Sequence, residues 1–166
     1  MNAPSVADRA RRIRLLVLDV DGVLTDGRLY FGPDGESLKV FHVRDGAGVV
    51  AAVRAGIVVA IVSGRESAAV SRRAAELGIR HVRQGIADKS AALEALQREL
   101  GVAVEETACV GDDTPDLSMF ARAGLAFAVS DAHPDLASAA HWTTAAAGGR
   151  GAVREVCDLL VTARAS

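Results

Sequence analysis

The chain has 166 residues, of which 50% are hydrophobic and 24% are charged, and its formal net charge is −2. This length suits a single domain with a sizeable core, and the near-neutral charge gives no broad electrostatic basis for binding nucleic acid or an anionic membrane. We find no apolar run as long as a membrane span and no signal-peptide pattern. Cys109 and Cys157 lie in apolar patterns typical of buried thiols, so we expect a cytoplasmic protein.

Apolar strands alternate with amphipathic helices along the chain. Residues 1–12 are predicted to be a flexible N-terminal arm, and residues 13–166 a single domain. Strands are predicted at residues 13–19, 57–62, 81–83, 107–110 and 125–129, with an edge strand at Trp142. Helical stripes lie near residues 49–53, 70–77, 88–100 and 153–160, and a further helix is predicted to begin at Pro115. Short alternation of this kind predicts an α/β fold with an open, mainly parallel sheet flanked by helices.

The first predicted strand ends in two carboxylates, Asp19 and Asp21. Because they are two residues apart on an extended chain, their side chains point the same way. Two like charges that face one spot repel each other, and a divalent cation such as Mg²⁺ between them relieves that repulsion. A strand that merely runs into an Asp-Gly turn is the alternative interpretation.

A polar, glycine-punctuated passage follows the acidic pair. Residues 28–31 and 36–41 flank the sequence Gly-Pro-Asp-Gly at residues 32–35, which is a strong turn signal. The passage therefore predicts a β-hairpin at about residues 28–41 that overhangs the acidic pair as a flap. The edge of such a hairpin is a natural place for pairing with another subunit.

Ser63 and Lys89 lie just after two other predicted strands, where ligands bind in open parallel sheets. Residues 63–66 fit a helix capping box, and exposed amides at a helix start also bind phosphate. Lys89 lies in the first turn of a helix that Asp88 is predicted to cap. A cation there opposes the helix dipole, so an anionic neighbour would explain it, although surface chance remains the alternative.

Asp112 and Asp113 follow the apolar strand at residues 107–110. Acidic residues are favourable near a helix N-terminus, and this explanation suits Asp116 best. Thr114 is predicted to cap the following helix, with Pro115 at its first position.

These clusters occur in the order of the four motifs of the haloacid dehalogenase (HAD) superfamily, whose members are mostly phosphatases. The chain resembles that superfamily through Asp-Val-Asp-Gly-Val-Leu-Thr at residues 19–25, Ser63, Lys89 and Gly-Asp-Asp-x-x-Asp at residues 111–116. The resemblance implies a Rossmann-like (HAD-like) sheet and a Mg²⁺-dependent phosphatase.

The resemblance also implies a role for each residue. Asp19 would be the nucleophile and form an aspartyl phosphate, and Asp21 would serve as the acid and then the base. Ser63 and Lys89 would contact the phosphoryl group. The implied metal ligands are Asp19, Asp21 (through its backbone carbonyl) and Asp112, with Asp113 supporting the water shell of the metal.

Longer stretches resemble one family of this superfamily, the 3-deoxy-D-manno-octulosonate 8-phosphate (KDO 8-phosphate) phosphatases, over about residues 13–160. They include Val-Arg-Asp-Gly at residues 43–46, Asp-Ala-His-Pro at residues 131–134 and the run at residues 148–158. The resemblance implies hydrolysis of KDO 8-phosphate in lipopolysaccharide biosynthesis. It also implies the absence of a large cap domain, and a homotetramer in which the hairpin and a neighbouring subunit close the site.

The family's substrate contacts fall on several residues of this chain. Arginines suit the carboxylate of a sugar acid. The implied substrate-binding residues are Asp21, His42, Val43, Arg44, Asp45, Gly46, Arg65, Arg73 and Lys89. Two alternatives stay open, because Arg73 could be a solvated helix residue and Arg44 could pair with Asp45. His42 also departs from the Asn that is frequent in the family.

Three other functions are weighed against this one. A sister phosphatase for N-acylneuraminate or KDN 9-phosphate would share the catalytic core and differ at the hairpin. A non-catalytic HAD-like oligomerisation module would show no metal-dependent turnover. A phospho-receiver domain also gathers aspartates and a lysine at strand ends, but its phosphorylated aspartate is separate from its acidic pair.

Overall fold

The apolar runs of the sequence form one parallel sheet. The structure, a computed structural model, describes residues 4–165. Its strands are β1 (Leu15–Leu18), β2 (Tyr30–Gly32), β3 (Gly35–Leu38), β4 (Val58–Val62), β5 (His81–Arg83), β6 (Thr107–Gly111), β7 (Leu125–Ala128) and β8 (Trp142–Thr143). Six of them pair in the order β5-β4-β1-β6-β7-β8, all parallel, while β2 and β3 form a separate antiparallel hairpin. The predicted α/β sheet is therefore confirmed.

Helices cover both faces of this sheet. They are α1 (Val6–Ala10), α2 (Val43–Arg54), α3 (Ala68–Leu77), α4 (Lys89–Leu100), α5 (Leu117–Phe120), α6 (Pro134–Ala139) and α7 (Ala152–Ala165), with 3₁₀ turns at Val104–Glu106 and Thr114–Asp116. Along β1, Leu16 and Leu18 face the core under α2, α3 and α7, whereas Leu15 and Val17 face the core under α4, α5 and α6. A strand that is buried on both faces has an unbroken run of apolar residues in its sequence, as β1 does. Within residues 4–165, no helix has both the length and the apolar composition that crossing a membrane requires.

The flexible arm predicted for residues 1–12 contains a helix in its described part. Ser5 caps α1 by accepting a hydrogen bond from the backbone N–H of Asp8, and Ala10 is fully buried. Arg9 Nη1 also donates to the carbonyl of Gly124 at 2.6 Å, which ties this helix to the domain. A five-residue helix is too short to produce a hydrophobic period, so the sequence pattern did not reveal it. Residues 1–3 lie outside the described residues.

The helix predicted near residues 49–53 begins earlier, at Val43, so most of the predicted contacts His42–Gly46 lie in its first turn. His42 caps this helix, with Nδ1 accepting from the N–H of Arg44 at 3.1 Å. Gly46 and Gly48 lower helix propensity and masked the pattern. Gly48 is needed for packing, since a Cβ there would lie 3.0 Å from the Cα of Arg154 on α7.

Two predicted helix caps are wrong. The helix after Ser63 begins only at Ala68, with Ser67 at its N-cap. Ser63 instead donates its N–H to the carbonyl of Arg83 at 2.9 Å, because it continues β4 alongside β5. Thr114 does not cap its helix either, since the carboxylate of Asp113 accepts from the N–H of Thr114 at 2.7 Å and takes the cap position.

A glycine-rich turn packs tightly on the loop that follows β1. Gly149 donates its N–H to the carbonyl of Val23 at 2.9 Å, and Gly148 donates to Asp131 Oδ1 at 2.9 Å. A Cβ built on Gly148 would overlap the carbonyl oxygen of Gly22. Residues 148–151 thus make the close backbone contacts that support the loop after β1.

We expect Gly148→Ala to destabilise the protein by roughly 1–3 kcal/mol, because the added methyl group displaces the loop that holds Asp21. Urea denaturation of the two proteins measures this difference. Gly32→Ala is the matched control, since the nearest atom to a Cβ there would be the Cβ of Ser37, at 3.4 Å, which is ordinary contact. Equal stability of Gly148→Ala and wild type would show that the close approach is not present in solution.

Candidate active site

The site lies at the carboxyl ends of the central strands. Asp19 follows β1 and donates its N–H to the carbonyl of Val110 at 3.3 Å, so it extends the strand beside β6. Asp112 follows the end of β6. A cavity of about 340 Å³ opens there, lined by Asp19, Asp21, Gly27, Ser63, Gly64, Arg65, Lys89, Asp112, Asp113, Pro115 and Asp116. The carboxylates of Asp19 and Asp21 line the same cavity, as their spacing predicts.

A tight turn after β1 aims the acidic pair. The carbonyl of Val20 accepts hydrogen bonds from three successive amides at residues 23–25. Thr25 Oγ1, which is buried, accepts from the N–H of Gly22 at 3.3 Å and of Gly27 at 3.2 Å. Gly22 has φ +85°, and a Cβ there would overlap the carboxylate of Asp112. The motif therefore requires glycine and threonine at these positions for the geometry of the turn.

Two carboxylates contact one lysine in the cavity, and a third carboxylate lies beside them. Lys89 Nζ lies 3.0 Å from Asp19 Oδ1 and 2.6 Å from Asp116 Oδ1, and its side chain is 9% exposed. Asp19, Asp112 and Asp116 each offer a carboxylate oxygen within 4.8 Å of the others. The second oxygen of Asp116 accepts from the N–H of Asp112 at 3.1 Å, which fixes the cluster to the end of β6.

The charges of this cluster shift its protonation. Burial and the charge of Asp116 raise the pKa of Asp19 to about 6, although Lys89 opposes the shift. Burial, Asp19 and Asp116 raise the pKa of Asp112 to about 8. Burial disfavours the charged lysine, but the charges of Asp19 and Asp116 prevail and raise the pKa of Lys89. The cluster thus carries more negative charge than one ammonium group neutralises.

Asp21 belongs to a second charged group that involves the hairpin. Lys39 Nζ donates to Asp21 Oδ1 at 2.6 Å and lies 2.8 Å from Glu36 Oε1. Arg65 Nη2 donates to Glu36 Oε2 at 3.0 Å, and Arg65 Nε lies 3.8 Å from Asp21 Oδ2. The hairpin segment therefore contacts Asp21 of the acidic pair through Lys39.

Another set of predicted substrate contacts does not line this cavity. Residues 42–46 form the start of α2, where Val43 is 77% exposed. Asp45 is buried, and its carboxylate accepts from the N–H groups of Gly151 and Arg154 at 3.3 and 2.9 Å, at the start of α7. Arg73 contacts Glu76 at 3.2 Å and lines a separate cavity of about 360 Å³. The roles of these residues stay predictions.

Comparison with known proteins identifies the family. A family model described as haloacid dehalogenase-like hydrolase matches residues 82–155. Over 162 residues the chain is 51% identical to the 3-deoxy-D-manno-octulosonate 8-phosphate phosphatase KdsC of Salmonella typhimurium, covering 98% of this chain and 86% of that protein. The chain belongs to the KDO 8-phosphate phosphatase family. It is a phosphoric monoester hydrolase.

Solved structures of this family share the fold. The KDO 8-phosphate phosphatase of Yersinia pestis matches with a TM-score of 0.94 and 48% identity, over 96% of this chain and 86% of that one. The enzyme of Moraxella catarrhalis matches with a TM-score of 0.94 and 41% identity, over 96% and 92% of the two chains. That structure is a complex with a magnesium ion, a phosphate ion and a KDO molecule.

The donor set of the phosphatase fits a hard divalent cation. Asp19 and Asp112 supply only oxygen atoms, which Mg²⁺ prefers, while the two oxygens of Asp116 beside them accept from Lys89 and from the N–H of Asp112. The raised pKa values of Asp19 and Asp112 show that, without a cation, protons must balance part of this charge. Two of the predicted ligands, Asp19 and Asp112, thus lie together, while Asp116 was assigned by sequence only to the helix start.

The metal-free phosphatase should lose stability as pH rises. Because the folded-state pKa values of Asp19 and Asp112 exceed the ordinary value of 3.8, their contribution to the free energy of unfolding is full below about pH 4. This stabilising contribution is lost as pH rises through about 6 for Asp19 and through about 8 for Asp112. In EDTA at pH 8 we expect Asp112→Asn to have a higher melting temperature than wild type. At pH 5 the two melting temperatures should be equal, because wild-type Asp112 is already protonated.

Thermal melts at the two pH values measure this difference, and Asp34→Asn in the hairpin turn is the control. Added Mg²⁺ should stabilise wild type more at pH 8 than at pH 5, because it binds the ionised carboxylates. An Asp112→Asn variant that melts below metal-free wild type at pH 8 would contradict the charge imbalance.

Proposed function

We propose that this enzyme hydrolyses KDO 8-phosphate to KDO and inorganic phosphate, using Mg²⁺, in the cytoplasmic synthesis of lipopolysaccharide. The observation that carries the proposal is the cluster of Asp19, Asp112 and Asp116, two of which contact Lys89, in a member of this family. The substrate is supported by the family's named activity. The buried free thiols Cys109 and Cys157 suit a reducing compartment.

Four residues of the cavity have direct roles in this reaction. Asp19 attacks phosphorus and forms an aspartyl phosphate, and Asp21 gives a proton to the departing sugar oxygen. Asp21 then takes a proton from the water that hydrolyses the intermediate. Lys89 and the Ser63 hydroxyl donate hydrogen bonds to the phosphoryl oxygens.

The metal would be held by Asp19, the backbone carbonyl of Asp21 and Asp112. Once bound, its charge offsets the repulsion between a phosphate dianion and these carboxylates. Asp113, which is exposed and lines the cavity, would support the metal's water shell. At the mouth, Arg65 is 43% exposed and suits the carboxylate of the sugar acid.

We further propose that the enzyme is a homotetramer that buries the hairpin. Six of the seven large hydrophobic side chains exposed within residues 4–165 lie between residues 29 and 43, including Phe31 at 65% and Val43 at 77%. A contiguous apolar surface of this kind is typical of a subunit interface. In such an assembly, His42, Val43, Arg44 and Arg73 would complete the cavity of a neighbouring subunit, whereas Asp45 and Gly46 are buried within their own subunit.

Phe31→Glu should therefore dissociate the tetramer, because a charge cannot be buried in an apolar interface without large cost. Sedimentation velocity measures the assembly. Val104→Glu is the control, because Val104 is exposed at 39% outside this region. A wild-type chain that sediments as a monomer at micromolar concentration would refute the oligomer, and an unchanged tetramer in Phe31→Glu would exclude this face.

The substrate is tested by phosphate release from KDO 8-phosphate and N-acetylneuraminate 9-phosphate, each with Mg²⁺ and with a chelator. We expect Mg²⁺-dependent turnover with a kcat/KM that strongly favours KDO 8-phosphate. Preference for the nine-carbon substrate would retain the chemistry and overturn the substrate. No turnover of either compound by folded protein with Mg²⁺ would favour a non-catalytic module.

A further inference from the structure

Both lysines of this chain lie against the acidic pair. The chain has seventeen arginines and only two lysines, Lys39 and Lys89. Lys89 contacts Asp19, and Lys39 contacts Asp21. The side chain of Lys39 is 3% exposed, although its neighbours on the hairpin are among the most exposed apolar residues of the protein. Lys39 is therefore not a solvated surface charge, and its environment resembles that of the lysine in the metal cluster.

Lys39 fixes one specific oxygen of Asp21. Its ammonium group lies between Asp21 Oδ1 at 2.6 Å and Glu36 Oε1 at 2.8 Å. Arg65 contacts the other oxygen of Glu36 at 3.0 Å and approaches Asp21 Oδ2 at 3.8 Å. Four charges of alternating sign thus form a closed ring, and the rotation of the Asp21 carboxylate is restrained from both sides. Lys39 contacts Oδ1 and not Oδ2, and the 3.8 Å between Oδ2 and Arg65 Nε is too long for a hydrogen bond.

An acid catalyst must hold its proton within hydrogen-bond reach of the departing oxygen, so its orientation matters as much as its presence. We propose that Lys39 is a positioning residue, which binds Oδ1 of Asp21 so that Oδ2 carries the proton to the leaving group. This inference rests on the acid role of Asp21 in the proposed function. Because Lys39 belongs to the hairpin, the same contact places the acid correctly only when the flap covers the site.

The test compares aryl phosphates of similar size that differ in the basicity of the leaving group. p-Nitrophenolate departs without a proton, whereas phenolate needs one, and neither substrate carries the sugar carboxylate that the hairpin region would bind. Because kcat/KM covers the steps up to phosphoryl transfer, the ratio of kcat/KM between the two substrates reports how much acid catalysis assists departure of the leaving group. Removal of acid catalysis lowers kcat/KM for phenyl phosphate much more than for p-nitrophenyl phosphate.

For Lys39→Met we expect kcat/KM to fall roughly ten- to a hundredfold with phenyl phosphate and less than about threefold with p-nitrophenyl phosphate. Glu36→Gln removes the second anchor of Lys39 and should give a smaller change in the same direction. Arg80→Met is the control, since this exposed cation lies outside the hairpin and the cavity and should leave both values unchanged. Asp21→Asn should show the largest difference between the substrates.

The outcomes separate the two claims. Equal losses with both substrates in Lys39→Met and Glu36→Gln would mean that the ring only holds the hairpin, which overturns the positioning role. If Asp21→Asn itself shows no leaving-group dependence, the acid role in the proposed function fails instead. A Lys39→Met protein that does not fold leaves the decision to Glu36→Gln, which retains Lys39.

The contact itself is visible in solution. Protein labelled with ¹³C at lysine Cε gives two lysine signals, one from Lys39 and one from Lys89. We expect Asp21→Asn to shift the Lys39 signal strongly and Asp116→Asn to shift the Lys89 signal. A Lys39 signal that is unchanged by Asp21→Asn and resembles that of a free lysine would overturn the inference.

Discussion

Asp19→Asn should lower kcat for KDO 8-phosphate by at least about 10⁴-fold, because an amide oxygen cannot replace the carboxylate as nucleophile. The substitution keeps the size of the side chain, and Asp116 remains 2.6 Å from Lys89. The change therefore acts on the reaction rather than on packing. Steady-state phosphate release with saturating Mg²⁺ measures the loss.

Stability provides the control for this variant. Asp19 is nine-tenths buried beside two other carboxylates, and burial with Asp116 raises its pKa to about 6. In EDTA at pH 8, removal of its charge should therefore not lower the melting temperature. Asp34→Asn, in the exposed turn of the hairpin, should retain full activity. Turnover of Asp19→Asn within tenfold of wild type would exclude Asp19 as the nucleophile.

Lys89→Met should be the most destabilising substitution in the site. Lys89 is the ammonium group that contacts both Asp19 and Asp116, whose side chains are 9% and 1% exposed. Loss of one partner leaves buried carboxylates uncompensated, which costs roughly 3–5 kcal/mol. Urea denaturation in EDTA at pH 8 measures this cost. Turnover should also fall by about 10²- to 10³-fold, because a donor to the phosphoryl oxygens is lost.

A double variant separates charge from packing. When Lys89→Met is combined with Asp116→Asn, one uncompensated charge is removed, and part of the lost stability should return. Lowering the pH to 5 should have a similar effect, since Asp19 can then be protonated. If Lys89→Met is as stable as wild type at pH 8, the lysine does not neutralise this cluster in solution.

Much of the site could be predicted because it depends on strand ends. Asp19, Ser63 and Asp112 each follow an unbroken apolar run, and the carboxyl ends of parallel strands meet at one edge of the sheet. Lys89 could be placed because Asp88 gives a clear cap. The all-parallel sheet follows from the same alternation of strands and helices.

The residues that were missed depend on irregular backbone. Asp116 was assigned to helix-start chemistry, which it does perform by accepting from backbone N–H groups, but a 3₁₀ turn also curls it back onto Lys89. Lys39 reaches Asp21 across eighteen residues because the hairpin folds over the site, and no local period encodes that contact. The one sequence signal was the rarity of lysine in a chain rich in arginine.

The start of α2 was also missed, for a reason that concerns packing. Its glycines weaken the helical pattern, yet Gly48 allows α2 to approach α7 closely. Asp45 then caps α7, a contact between residues more than a hundred positions apart. Tertiary packing therefore decides this element, and local propensity does not.

The account is tested most directly by rapid acid quench during turnover of KDO 8-phosphate with Mg²⁺, followed by peptide mass analysis. We predict a peptide containing Asp19 that has gained the mass of one phosphoryl group, and none when Asp19 is replaced by Asn or the metal is chelated. Phosphate release from KDO 8-phosphate without any phosphorylated peptide, or with the phosphoryl group on another residue, would contradict the central role of Asp19.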